Sequence, residues 1–126
     1  MLGYAGRILH VDLSTGKIWN EPLKEELARK YIGGIGLGMR LLLDNSKPGV
    51  DPFDPENPLV LATGALSGTM VPTAGNGHAF VSKSPQTFAM GEAKSHGHFG
   101  AAMKRAGYDA IIFHGKSEKP VYLWVD

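Results

Sequence analysis

The 126-residue chain has no cysteine, which excludes disulfides and any iron–sulfur cluster held by thiolates of this chain. It also has no apolar run long enough to span a bilayer, and residues 1–12 lack the apolar core of a signal peptide. The expected location is therefore the cytoplasm, with no membrane partner. A dominant sign of charge is missing as well. Thirteen Lys and Arg stand against twelve Asp and Glu, and the resulting +1 is too balanced to suggest a nucleic-acid partner. Glycine and proline, by contrast, are plentiful at 17 and 8, so the elements are expected to be short and joined by many turns. With 43% hydrophobic and 20% charged residues, the composition is that of a folded chain, and its length predicts a single domain over 1–126.

Residues 6–13 (GRILHVDL) alternate, with Ile8, His10 and Asp12 on one face and Leu9, Val11 and Leu13 on the other. Ser14-Thr15-Gly16-Lys17 is a turn signal, so residues 17–21 are expected to return as the second strand of a hairpin, with Trp19 as a packing residue. In residues 22–31, Leu23, Leu27 and Tyr31 recur every fourth position behind early acidic residues, which predicts a helix. A second helix is expected over 37–43, opened by the glycines of residues 33–38. That run looks like a dinucleotide-binding loop, but a helix precedes it and the G-x-G-x-x-G spacing fails, so capping and close helix packing explain it better. Residues 48–58 hold four prolines and read as an irregular connector. Strands are expected at 59–63, 79–82, 110–114 and 121–125, with a short one at 87–90, and a helix at 99–105. Strands outnumber helices and no βαβ rhythm appears, which predicts an α+β fold with a mainly antiparallel or mixed sheet and two or three short helices.

Residues 61–100 stand out chemically. Seven glycines, Gly64, Gly68, Gly75, Gly77, Gly91, Gly97 and Gly100, alternate there with hydroxyl and basic side chains. Glycine lets another molecule approach the backbone, and successive exposed N–H groups form concavities suited to anions. Lys83 and Lys94 add cationic donors; a run of ordinary tight turns is the alternative. His96-Gly97-His98, with His78 as a conceivable third member, suggests a metal pair, but zinc sites take three or four protein ligands and no spacing fixes the third. Gly115-Lys116-Ser117 matches only the tail of a phosphate-binding loop, because position 110 is Ala110. His10 and His114 fall in predicted strands as half-buried histidines, and no nucleophile triad can be assigned.

The order of the short motifs carries further. Gly3-Tyr4-Ala5-Gly6-Arg7-Ile8-Leu9 leads into Val11-Asp12-Leu13-Ser14-Thr15-Gly16, followed by the glycines of 33–38 and then VDPFDPENPLVLATGALSGT. Ser82-Lys83-Ser84-Pro85, His98-Phe99-Gly100, Lys104-Arg105-Ala106-Gly107-Tyr108-Asp109-Ala110 and Lys119-Pro120-Val121-Tyr122-Leu123 complete the series. In this order they closely resemble the start of the aldehyde:ferredoxin oxidoreductase family of tungsten enzymes, over essentially the whole chain. The resemblance implies the first half of a duplicated, β-rich N-terminal domain on which a tungsten bis-pterin cofactor sits. It implies a 4Fe-4S cluster held by later domains, aldehydes as substrates and ferredoxin as electron acceptor. The remainder of the same polypeptide, or a catalytic subunit, would be the immediate partner.

By the same resemblance the cofactor-binding residues are Asn76, Gly77, His78, Lys94, Ser95, His96 and Gly97. None is expected to be catalytic or to ligate metal, and the isolated chain is not expected to be an enzyme. Two places depart from the family pattern. Asn76-Gly77-His78 stands where the family carries an arginine, and Lys94 and His96 replace members of an Asn-Ser-Gly-Gly loop. A free-standing half-domain that pairs with itself as a homodimeric scaffold is the rival expectation.

Overall fold

The computed structural model describes residues 1–72 and 75–126; Thr73 and Ala74, inside the glycine-rich stretch, lie outside the described residues. Strands β1 (Arg7–Asp12) and β2 (Ile18–Pro22) form the expected hairpin. Asp12 closes its turn: the carboxylate accepts from the Ser14 N–H at 2.9 Å and the Thr15 hydroxyl at 2.8 Å. Helix α1 (Glu25–Tyr31) begins later than position 22, because Pro22 stays paired with Arg7 at the end of β2. Helix α2 (Gly34–Asn45) is longer than the expected 37–43, and the glycine run forms its first turn instead of preceding it.

The remaining elements are β3 (Leu59–Thr63), β4 (His78–Lys83), β5 (Met90–Ser95), α3 (Phe99–Arg105) and β6 (Ala110–His114). Among the described residues the strands form one six-stranded mixed sheet in the order β2-β1-β6-β3-β4-β5. Only the β1–β6 pair is parallel. The α+β class with a mixed sheet and three helices agrees with the expectation. Ile8, Val60, Ala62, Val81, Ala110 and Ile112 bury one face beneath α1 and α2, against Leu37, Leu41 and Leu42. Leu9, Val11, Leu61 and Ile111 bury the other face against Met103 of α3. Alternate residues of each strand thus reach two different cores, as the period of the strand requires.

Three expectations are corrected. Residues 121–125 form no strand. Both sides of β6 are occupied, by β1 and β3, so this segment has no partner there; it lays Leu123 and Val125 against the α3-side core instead. The short strand expected at 87–90 is displaced to Met90–Ser95, because residues 84–89 make the turn. In that turn the Ser84 carbonyl accepts from the Phe88 N–H at 2.9 Å, and Phe88 takes φ 56°. The pair His96 and His98 does not lie on a strand, since β5 ends at Ser95 and Gly97 turns the chain with φ 119°.

The two strand histidines prove to be neighbours. Register places His10 opposite Ile112 and next to the end of β6, where His114 Nε2 lies 2.9 Å from His10 Nδ1. Their centroids are 5.2 Å apart and their planes differ by 5°, which is the N···N distance extended by two ring radii. The imidazoles therefore lie edge to edge in one plane, in a linear hydrogen bond. Glu21 Oε2 lies 3.0 Å from His10 Nε2 and can accept from it; with the Nε2 proton on that side, Nδ1 is left to accept from His114. Trp19 lies nearly parallel to both rings, with centroids 4.7 and 5.5 Å away, and covers the pair.

Burial, followed by the neighbouring His10, holds the His114 pKa below its ordinary 6.5, against the opposing pull of Asp12. The folded chain therefore binds fewer protons than the unfolded chain in the window from 6.5 downward to the folded value. Stability contributed by neutral His114 should be present above 6.5 and lost as the pH falls through that window. Melting curves across mildly acidic pH are expected to show this loss, and His114→Gln is expected to flatten it.

Candidate functional site

At one end of the sheet, four backbone segments converge on a cavity of 370 Å³. Residues 32–36 supply one wall, Gly64 and Ser67 the floor beyond β3, Gly77 and His78 the start of β4, and residues 94–96 the end of β5. Register explains the meeting. Thr63 pairs with His78 and His78 with Ser95, so three strand ends stand side by side.

The glycines are needed for close approach. A Cβ on Gly33 would lie 2.7 Å from the Thr63 carbonyl oxygen and 2.8 Å from Gly64 Cα. One on Gly36 would lie 2.6 Å from the Tyr31 carbonyl oxygen, and one on Gly100 2.6 Å from that of Asn76. The chain can fold this tightly around the cavity only where side chains are missing. Ser67 holds the floor: its hydroxyl accepts from the Gly64 N–H at 3.2 Å and donates to the Gly77 carbonyl at 3.1 Å.

Of the seven residues expected to hold a cofactor, Gly77, His78, Lys94, Ser95 and His96 line this cavity; Asn76 and Gly97 flank it in the chain without lining it. Among the described residues, the one ion-pair contact of Lys94 is a loose one, 3.8 Å from Glu92, which leaves its ammonium able to turn to an anion. Helix α2 opens on Gly33 with no side-chain cap, so its first-turn N–H groups stand at the cavity wall as donors. The His78 ring leans on Phe80 and Phe99, at centroid distances of 6.0 and 5.3 Å. Its Nδ1 is buried and has no partner among the described residues. Such an orphan is unfavourable until a bound group or a turn of the ring satisfies it.

The donor set suits a ligand with anionic groups, and Ile32 and Ile35 add apolar surface to the wall. Among the described residues, no three His, Asp or Glu side chains are placed to hold a metal ion, so the geometry supplies no third ligand to His96 and His98. No helix of the described residues is long and apolar enough to cross a membrane. Sequence reasoning read the glycines of residues 33–36 as a cap, and so missed them as a cavity wall. The signal was present in their density, but the opposing wall is Thr63 and Gly64, which no local pattern reveals.

Comparison with known proteins bears on this geometry. The family described as the N-terminal domain of aldehyde ferredoxin oxidoreductase matches residues 8–126. A tungsten-containing aldehyde ferredoxin oxidoreductase of Pyrococcus horikoshii is 48% identical over 126 residues, covering 100% of this chain and 21% of its own length. That of Pyrococcus furiosus is 50% identical over 125 residues, covering 99% and 20%. The chain therefore spans about a fifth of the length of the curated relatives it matches. A solved structure of the active-site complex of benzoyl coenzyme A reductase, bound to 1,5 dienoyl-CoA, superposes with a TM-score of 0.93 at 39% identity. That match covers 98% of this chain and 19% of the solved one.

Because the Gly33 site is bounded by backbone rather than by mobile side chains, Gly33→Ala is expected to destabilise the chain by about 1–3 kcal/mol. A lower urea midpoint at unchanged slope would register this.

Proposed function

The chain belongs to the aldehyde ferredoxin oxidoreductase family, and from that premise we propose that it forms part of the seat of a tungsten bis-pterin cofactor. The parent activity in this reading is oxidation of an aldehyde and water to a carboxylic acid, with two electrons passed singly to ferredoxin and two protons released. The observation that carries the proposal is the convergence of Gly77, His78, Lys94, Ser95 and His96 on a glycine-walled cavity.

When bound, the cofactor supplies the redox chemistry; the residues of this chain bind and orient it. Lys94, as a point charge on a flexible stem, and the first-turn amides of α2 hold anionic oxygens. Ser95 and His96 would add hydrogen bonds at the rim, and Ile32 and Ile35 would offer the cofactor apolar surface. No arginine stands at Asn76-Gly77-His78, and Lys94 offers a single ammonium without a fork, so grip on a phosphate would rely more on the backbone amides. With no cysteine among its 126 residues, this chain leaves the 4Fe-4S cluster of the reading to other parts of the enzyme. A fold this similar also serves a benzoyl coenzyme A reductase complex. The substrate, in our reading, is therefore selected outside these residues, and the aldehyde rests on the relatives named for it.

Elemental analysis of the natural protein tests the reading. Stoichiometric tungsten is expected, and Lys94→Ala combined with His96→Ala should lower it several-fold without unfolding the chain. Natural protein with neither tungsten nor molybdenum would overturn the proposal.

A further inference from the structure

Between α1 and α2 the chain reverses through a single residue. Ile32 has φ 62° and ψ −66°, and the Gly33 N–H donates to the Tyr31 carbonyl at 2.7 Å. This is a γ-turn of the positive-φ form, the rare and strained one of the two. A β-branched residue is the least suited to positive φ, since its Cβ substituents crowd the adjoining carbonyl. The turn is held from both sides. The Ile32 N–H donates to the Ala28 carbonyl at 2.8 Å, and the Tyr4 hydroxyl donates to the Ile32 carbonyl at 2.6 Å.

The core does not explain why isoleucine stands there. Its residue surface is 67% exposed, and it belongs to neither buried cluster. It does line the cavity, at the head of the glycine wall. Backbone strain that no packing offsets is found where a side chain must be held in one place for function.

We propose that Ile32 is a positioning residue of the cavity, an apolar lip fixed over its mouth by the strained turn and pressed against the flat ring system of the bound group. The proposal rests on the cofactor-seat reading and adds to it a residue outside the motif-matched set. Backbone amides and Lys94 hold the charged ends of the ligand, but a ring face needs an apolar surface that does not move away. A freely rotating side chain on an unstrained turn would not provide one.

The proposal makes opposite predictions for stability and for binding. Ile32→Gly relieves the turn, so the melting temperature should rise, by about 1 °C per kcal/mol relieved in a protein the length of the relatives. Tungsten retained through gel filtration should fall several-fold. Ile32→Leu restores an apolar lip and should restore retention without the gain in melting temperature. Phe88→Gly is the control. Phe88 also has positive φ, 56°, but its turn precedes Met90, at the other end of β5 from the cavity. That variant should gain stability with tungsten unchanged.

Full tungsten in Ile32→Gly, or a lower melting temperature, overturns the role of Ile32 while leaving the seat reading intact. Wild-type protein devoid of tungsten overturns the seat reading, and the ligand of this proposal with it.

Discussion

The structure depends on one buried carboxylate. Asp109, 1% exposed, accepts the Ala5 and Gly6 N–H groups at 3.0 and 2.6 Å and the Lys104 ammonium at 2.6 Å. Its backbone continues the same knot. The Asp109 N–H donates to the Arg7 carbonyl at 2.9 Å, and its carbonyl accepts the Thr63 N–H and hydroxyl at 3.0 and 3.1 Å. A single residue thus joins the lead-in to β1, the end of β3, α3 and the start of β6. A buried charge is tolerable only when paired and hydrogen-bonded in this way, and each of those partners is thereby fixed in place.

The cavity follows from that knot. Fixing Thr63 fixes the backbone against which Gly33 packs, and β4 and β5 are carried into register beside it. Helix α2 can then approach β3 and β4 closely enough that a Cβ on Gly38 would lie 2.8 Å from Val81 Cγ2. Strand ends on one side and a glycine-rich helix start on the other leave a polar-rimmed hollow walled in part by close-packed main chain. Such walls keep their shape whichever side chains vary at the rim. This is compatible with Lys94 and His96 standing where the family pattern has other residues.

The local signals of the sequence were dependable where one element decided its own fate. The alternation of residues 6–13, the four-residue spacing of Leu23, Leu27 and Tyr31, and the apolar runs at 59–63 and 110–114 all became the expected elements. Signals failed where a distant partner decided. Residues 121–125 are an unbroken apolar and aromatic run that reads as a strand, yet β1 and β3 already occupy the edges of β6. His10 and His114 were visible as half-buried histidines, but their shared hydrogen bond depends on the parallel β1–β6 pairing across most of the chain. The role of Asp109 is not legible in Gly107-Tyr108-Asp109, because apart from Lys104 its partners lie at Thr63 and at Ala5–Arg7, far away in the sequence. The cavity residues were legible only through the ordered motifs. Local reasoning reached a region suited to anions and stopped there, while the strained turn at Ile32 has no sequence signature.

Hydrogen exchange on the natural protein, compared with and without its tungsten, tests the account most directly. Slowed exchange confined to the amides of residues 33–36 and 94–97 is the predicted result, since those amides border the proposed seat. Unchanged exchange there, with protection appearing instead around Asp12 and His114 at the far end of the sheet, would contradict it.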